Sequence, residues 1–240
     1  MSIRRLAGLG SVLACMVVAL AAAVCVVAGS PAQAARNDGV VADASERVAG
    51  FTAGQLLGEE FRQILELPLD ANPAAGTGSN CLSAGHKEKV LILWTTREPA
   101  PAAVCDVKPG TPVFFYALGG ECSNVEPPPF FGATEAEQRQ CILDFLGTTE
   151  FDAIEVSIDG GSPVNIGVDS FLAVSDQGTA NLPDPNILGV PGNREATFVA
   201  GAYAALVRPL PPGAHTITVT IVGGPFAGTN RAVVNVEPGR

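Results

Sequence analysis

The stretch "PLPPGAHTITVTIVG", residues 209–223, indicates the fold class, because a proline-rich approach leads straight into a regular alternation of side chains. After the prolines, one face carries His215, Ile217, Val219 and Ile221, and the other carries three threonines. A period of two is typical of a β-strand with one face in the core. The sequence therefore predicts a half-buried strand with its apolar face inward.

The proline-rich part of this stretch has two interpretations, a structural corner or a loop that holds a ligand with His215 as the reactive group. Pro212 and Gly213 suit the central positions of a type II turn, because proline presets φ near −65° and glycine tolerates positive φ. Pro209 has no N–H and keeps the approach extended. We predict a corner that ends one strand and aims the next, with His215 at the rim of the core, donating to a carbonyl.

Other segments extend the β pattern along the chain. The short apolar runs "KVLILWT" (89–95) and "TPVFFYAL" (111–118) are typical of strands buried on both faces, which places Trp94 in a core strand. Residues 151–164 predict a hairpin turning at 159–161, and residues 175–195 predict a long turn-rich loop. Further strands are expected at 168–174, 197–207 and 231–237. With 27 glycines and 19 prolines, the pattern predicts a mainly β, antiparallel, Greek-key-like β-sandwich.

Two short helices interrupt the strands. Residues 52–67 place Leu57, Phe61, Ile64 and Leu65 on one face, with Thr52 as the cap. Residues 134–147 begin with a threonine and a glutamate in capping-box spacing. We expect residues 51–240 to form a single domain, with a proline-rich loop and this second helix inserted at 121–147.

The N-terminus predicts export. Arg4 and Arg5 precede an uncharged stretch, and "AQA" then offers a cleavage site before Ala35, so residues 1–34 are predicted to be a signal peptide. Residues 35–50 are polar and unpatterned, which predicts a flexible leader. The apolar stretch is also long enough for an uncleaved single-pass anchor, and Cys15 allows a lipoprotein interpretation.

Four cysteines remain beyond the signal, and an even number in an exported chain predicts two disulfides. Sequential pairing, Cys81 with Cys105 and Cys122 with Cys141, closes loops of roughly 20 to 25 residues and is the pairing we expect. The four cysteines form no C-x-x-C motif, and His86, the only histidine near them, has no partner at ligand spacing. A zinc site is therefore not favoured.

The charge balance limits the classes of partner. The chain has 14 basic and 24 acidic residues, a net charge of −10, and loss of the signal leaves 12 against 24, or −12. An acidic surface repels phosphate backbones, so we expect no nucleic-acid partner and no membrane contact unless the N-terminal segment is uncleaved. The expected partner is an unidentified ligand in the cell envelope or extracellular space.

The chain also resembles a group of exported bacterial proteins of uncharacterised function that share a C-terminal PLPPGxHTI-type β corner. The matching segments are "LPLDANPAAGTGSNC" (67–81), "VLILWT" (90–95), "CDVKPGTPVFFYAL" (105–118), "ECSNVE" (121–126), "VSIDGGSPV" (156–164) and "GAYAALVRPLPPGAHTI" (201–217). The resemblance implies a secreted β-rich domain with cysteines at these positions. It implies no activity, catalytic residue or ligand.

Few residues suggest chemistry. Glu121 and Glu126 flank the proline-rich loop and are candidates for carboxylate chemistry or ligand binding, and Asp159 is a candidate oxygen donor for a cation. The two histidines are far apart in sequence, and no nucleophile elbow or phosphate loop is present, so we predict no catalytic residues and no cofactor. The sequence predicts a noncatalytic binding or structural module, with a secreted glycan hydrolase acting through carboxylates near 121–137 as the alternative.

Overall fold

The computed structural model describes residues 39–239 except residue 88, and the predicted signal peptide lies outside these residues. The described residues form two β-sheets and two α-helices. The helices are α1 (Ala53–Glu66) and α2 (Glu135–Thr148). The strands are β1 (Val41–Ala42), β2 (Cys81–Ala84), β3 (Val90–Leu93), β4 (Thr96–Arg97), β5 (Ala103–Val107), β6 (Val113–Ser123), β7 (Ala153–Ile158), β8 (Val164–Asn165), β9 (Leu172–Val174), β10 (Gly178–Leu182), β11 (Arg194–Val207), β12 (Gly213–Val222) and β13 (Gly228–Val236).

The two sheets divide the strands between them. Sheet 1 has the order β1-β11-β6-β3-β2, with β9 and β10 also paired to β11. Sheet 2 has the order β4-β13-β12-β7-β8, with β5 also paired to β13. Most pairs are antiparallel, but β3–β6 and β5–β13 are parallel. The chain leaves sheet 1 at the end of β3 and enters sheet 2 at β4, which opens a gap beside β6.

The largest core lies between the two sheets, as in a β-sandwich. Sheet 2 contributes Ile217 and Val219 of β12, together with inward residues of β7 and β13, and all are almost fully buried. Sheet 1 faces them with Phe115 and its neighbours on β3 and β11. The alternation in residues 213–222 therefore forms the predicted inward face, and the mainly β class with two helices is confirmed.

The two helices cover opposite faces of sheet 1. Helix α1 packs its apolar face on the side away from sheet 2, and α2 packs beside sheet 2 through Ile142 and Leu146. Gly201 of β11 makes room for α2, since a Cβ there would lie 2.9 Å from the Ile142 side chain. The predicted cap Thr52 begins α1 and forms a capping box with Gln55, and the predicted capping box of Thr134 with Glu137 begins α2.

Two expectations need correction. Residues 41–42, within the expected flexible leader, pair with Leu206 and Val207 and are buried as strand β1. Residues 178–182, expected in a loop, form β10 along β11. Of the last three long strands, β11 lies in sheet 1, while β12 and β13 pair with each other in sheet 2. Each added strand is short and gains its stability from pairing with β11, which no local pattern reveals.

Both predicted disulfides are confirmed. Cys81 of β2 is bonded to Cys105 of β5, so this bond joins the two sheets. Cys122 of β6 is bonded to Cys141 and ties α2 to sheet 1. Disulfides fit an extracellular protein, because reducing compartments keep thiols free.

A search of the described helices for membrane spans found none with the length and apolar character that crossing a bilayer requires.

Candidate functional site

The proline-rich corner has well-defined local geometry. Gly213 has φ +134°, a backbone conformation that L side chains rarely adopt, and it already pairs with Val236 as the first residue of β12. Pro212 lies in a bend just before it, where a type II turn was expected. Pro209 lies between β11 and β12. The corner thus carries the chain from sheet 1 to sheet 2.

His215 is bonded at both ring nitrogens. Its Nδ1 lies 2.7 Å from Oδ2 of Asp159, and its Nε2 lies 2.8 Å from the carbonyl oxygen of Pro211. Oδ1 of Asp159 accepts a 2.8 Å hydrogen bond from the backbone N–H of Thr216. The ring is 9% exposed at the rim of the core, so these contacts give it a structural position. Asp159, a candidate cation ligand, uses both carboxylate oxygens within this contact set.

A cleft of about 760 Å³ lies beside β6, and we call it the β6-edge cleft. It lies where the chain crosses from β3 to β4. Residues that line it come from five parts of the chain: Glu60; Pro73, Ala74 and Gly76; Leu93–Arg97 and Ala100; Tyr116–Gly119; and Ile221, Phe226 and Asn230. Its volume falls in the range of small-molecule sites.

One wall of the β6-edge cleft is an open strand edge. β3 pairs with β6 only at Val113 and Phe114, and from Phe115 to Cys122 none of the described strands pairs with the edge facing away from β11. Ala117 and Gly119 of this open edge line the cleft. An unpaired strand edge offers backbone N–H and C=O groups to an extended ligand.

The other walls are held by polar contacts. Buried Asn72 donates to the carbonyl of Ile64, 2.7 Å away, and accepts from the N–H of Ala74, which fixes the Pro73–Gly76 loop on the end of α1. Across the cleft, the Arg97 guanidinium donates to the carbonyl of Ala227. These hydrogen bonds fix the positions of two of the segments that line the cleft.

Glu60 is the most unusual residue of the cleft. It is 1% exposed, and neither carboxyl oxygen has a hydrogen-bond partner among the described residues. Burial raises its pKa well above the ordinary value for a glutamate. A buried carboxyl without a partner costs folding free energy, so it indicates either a protonated acid or a partner that a ligand supplies.

Two aromatic residues, Trp94 and Tyr116, line the cleft together with Glu60. The rings of Trp94 and Tyr116 meet edge to face with centroids 5.6 Å apart, and the centroid of the Phe61 ring lies 5.4 Å from that of Tyr116. Burial, and the charges of Glu60 and Glu121, raise the pKa of the Tyr116 hydroxyl. Trp94, expected in a core strand, lies one residue beyond β3 and is half-buried in the cleft.

The predicted candidates Glu121 and Glu126 do come together. Burial, and the charge of Glu126, raise the pKa of Glu121 to about 8. Burial also raises the pKa of Glu126, although its Oε2 accepts a 2.9 Å hydrogen bond from the Ser123 hydroxyl. Glu121 lies opposite Ala200 on the α1 face of sheet 1, inside strand β6 and not in the proline-rich loop. Glu137, by contrast, is used in the α2 cap.

Among the described residues, no three or more histidine, cysteine, aspartate or glutamate side chains lie together in a way that could hold a metal ion.

Sequence reasoning missed Glu60, although a signal was present. Position 60 lies four residues from both Leu56 and Ile64, so a charged residue falls on the apolar face of α1. A charge in that register predicts a buried carboxylate. Only the folded structure shows that none of the described residues forms a hydrogen bond with this carboxylate.

Comparison with protein-family models, with curated proteins and with solved structures gave no match for this chain.

Proposed function

We propose that the protein is an exported, noncatalytic binding module of the cell envelope or extracellular space, and that the β6-edge cleft holds its ligand. The observation that carries the proposal is the cleft itself, where an open strand edge, two aromatic rings and an unpartnered buried carboxyl converge. Such convergence of apolar surface with a few polar groups is the usual composition of a ligand site. We propose the same export that the resemblance to the bacterial proteins with a PLPPGxHTI-type β corner implies.

Export is supported by the two disulfides and by the N-terminal pattern of residues 1–34. N-terminal sequencing of protein recovered from the culture medium or envelope should begin at Ala35. Recovery of only the full-length chain in the membrane fraction would establish the anchored form instead.

Binding in the cleft is tested through Trp94, the only tryptophan in the chain, whose emission reports on the cleft directly. The purified protein is titrated with defined cationic peptides, neutral oligosaccharides and anionic oligosaccharides. A saturable change for one class supports the proposal if it is lost in Ala100→Phe, which fills the rim, and kept in Ala133→Phe, an exposed position in the loop before α2. No response in any class, or a response that survives Ala100→Phe, contradicts it.

The second candidate, a glycan hydrolase, is favoured by the Glu121–Glu126 pair. A carboxyl that stays protonated at neutral pH beside a second carboxyl is the arrangement used for general acid and base catalysis. Mass spectrometry of the oligosaccharides after incubation separates the two functions. Intact sugars support the binding module, whereas cleavage that is lost in both Glu121→Gln and Glu126→Gln supports the hydrolase.

A further inference from the structure

The position of Glu60 restricts what the cleft can accept. The residue lies on the sheet-facing side of α1, lines the cleft, and leaves both carboxyl oxygens without donors. Buried polar side chains in folded proteins nearly always have hydrogen-bond partners. A ligand that enters beside Glu60 therefore gains most if it brings hydrogen-bond donors for these two oxygens.

The surroundings of Glu60 favour a positively charged donor over a neutral one. Trp94 and Tyr116 line the same cleft, and aromatic rings attract cations. The charges of Glu60 and Glu121 both raise the pKa of the Tyr116 hydroxyl, so a second carboxyl lies close to this ring. None of the described residues forms an ion pair with Glu60 or Glu121, and the chain as a whole carries a net charge of −10.

We infer that the ligand of the β6-edge cleft carries a primary ammonium group on a flexible chain, and that this group binds Glu60. The inference rests on the proposed function, since it names the chemistry of the ligand for that cleft. An ammonium group has three donors, enough for both free oxygens, whereas a hydroxyl has one. Its positive charge also compensates the buried carboxylate, which a neutral donor does not.

Two sources supply this chemistry, a free polyamine and a lysine side chain of an extended peptide. The open edge of β6 beside Ala117 and Gly119 favours the peptide, because a polyamine makes no use of unpaired backbone groups. Both carboxyl oxygens of Glu60 are buried, so binding requires the Glu60 side chain to turn toward the ligand.

The first test compares 1,5-diaminopentane with pentanol, which has a similar chain and no charge, by Trp94 fluorescence and by calorimetry. We expect the diamine to bind at least about tenfold more tightly than the alcohol, in line with the strength of hydrogen bonds to charged groups. Glu60→Gln should remove that preference. Glu59→Gln is the matched control, because Glu59 is adjacent on α1 but pairs outward with Arg62.

A second pair of probes separates the two sources. The capped peptide Ala-Ala-Lys-Ala-Ala is compared with the same peptide carrying norleucine, the uncharged counterpart of lysine. Tighter binding of the lysine peptide than of the diamine assigns the extended peptide as ligand, and the reverse assigns a free polyamine. Thermal melting of Glu60→Gln shows whether the variant is folded. Glutamine has nearly the same size and cannot ionise, so its burial never desolvates a charge, and we expect a melting temperature at neutral pH no lower than that of the parent.

The inference is overturned if the amine probes bind no better than their neutral counterparts, or if Glu60→Gln binds them as the parent does. In that outcome, saturable binding of an oligosaccharide would still support the β6-edge cleft as the binding site, provided that Ala100→Phe abolishes this binding. Loss of response to every probe class overturns both.

Discussion

Nδ1 of His215 lies 2.7 Å from Oδ2 of Asp159, so this contact joins the start of strand β12 to the hairpin turn that follows β7. The same imidazole reaches back to the carbonyl of Pro211 through Nε2. Two loops that are distant in sequence thus meet on one ring. This arrangement favours the structural interpretation of the corner over a ligand loop.

The first prediction is that His215→Ala lowers the free energy of unfolding by about 1–2 kcal/mol, because it removes two hydrogen bonds and packing at the core rim. Urea denaturation followed by circular dichroism measures the loss. Binding of any ligand in the β6-edge cleft should survive in the folded variant. An unchanged stability together with lost binding would show that the corner is a functional loop.

The second prediction concerns pH. Both ring nitrogens of His215 face acceptors, so both bonds together require the protonated imidazolium. Burial lowers the pKa of His215, but the hydrogen bonds to Asp159 and Pro211 and the charge of Asp159 outweigh it, and the net direction is upward. A raised pKa in the folded state adds stability that is fully present below the unfolded value of about 6.5 and is lost as pH rises through the folded value.

The measurement for this second prediction is the difference in unfolding free energy between the parent and His215→Gln across a pH series. The difference should be largest in mildly acidic solution and should shrink at alkaline pH. In the Asp159→Asn background the pH dependence should be weaker, since the charge that favours the imidazolium is gone. A difference that stays constant from acid to alkaline pH argues against the protonated contact.

The third prediction tests the backbone of the corner. Gly213→Val should destabilise the fold by about 1–3 kcal/mol, because a β-branched residue is strained at φ +134°. Gly147→Ala in α2 is the matched control: both glycines have open space where a Cβ would lie, but only Gly213 has positive φ. The helical variant should gain up to about 1 kcal/mol. Equal thermal shifts for the two variants would rule out backbone strain as the cause.

Local sequence patterns predicted those parts of the fold whose physical cause is local. The alternation from His215 to Ile221 identified the inward face of β12, and the two helix starts were marked by Thr52 as a cap and by the capping-box spacing that begins at Thr134. These features depend on residues within a few positions of one another. The disulfide pairing was also predicted, because short loops favour sequential pairing.

The remaining features depend on distant partners. The parallel pairs β3–β6 and β5–β13 join strands with other elements between them, and no local pattern indicates them. Trp94 was expected in the core because the apolar run of β3 continues through it, yet the chain leaves sheet 1 one residue earlier. The cleft exists because of that departure. Its key residue, Glu60, was readable as a buried charge but not as one without a partner.

The fourth prediction concerns Glu121, whose pKa is raised to about 8 in the folded protein. The unfolded chain releases this proton near the ordinary glutamate value, so the parent loses stability as pH rises from about 4.5 to 8. Glu121→Gln removes that loss. We expect the variant to be about 1–3 kcal/mol more stable than the parent at pH 8 and nearly equal to it at pH 4.

Chemical denaturation of both proteins at several pH values tests the Glu121 prediction. Glu155→Gln on β7 provides a control for removal of a carboxyl, since Glu155 lies in sheet 2, away from Glu126. Parallel stability curves for the parent and Glu121→Gln from pH 4 to 8 would contradict the burial of this carboxyl.

The fifth prediction separates the roles of the two disulfides. Helix α2 contacts sheet 1 through a small cluster that includes Ile142, Leu146 and Val199, so it depends on the Cys122–Cys141 bond more than the strands do. Serine at both positions should cost about 3 kcal/mol and increase hydrogen exchange in α2 well above that in β3 and β6. Serine at Cys81 and Cys105 should instead loosen β2 and β5, because that bond joins the two sheets. Uniform exchange across the domain in the first variant would mean that α2 and the sandwich unfold as one unit.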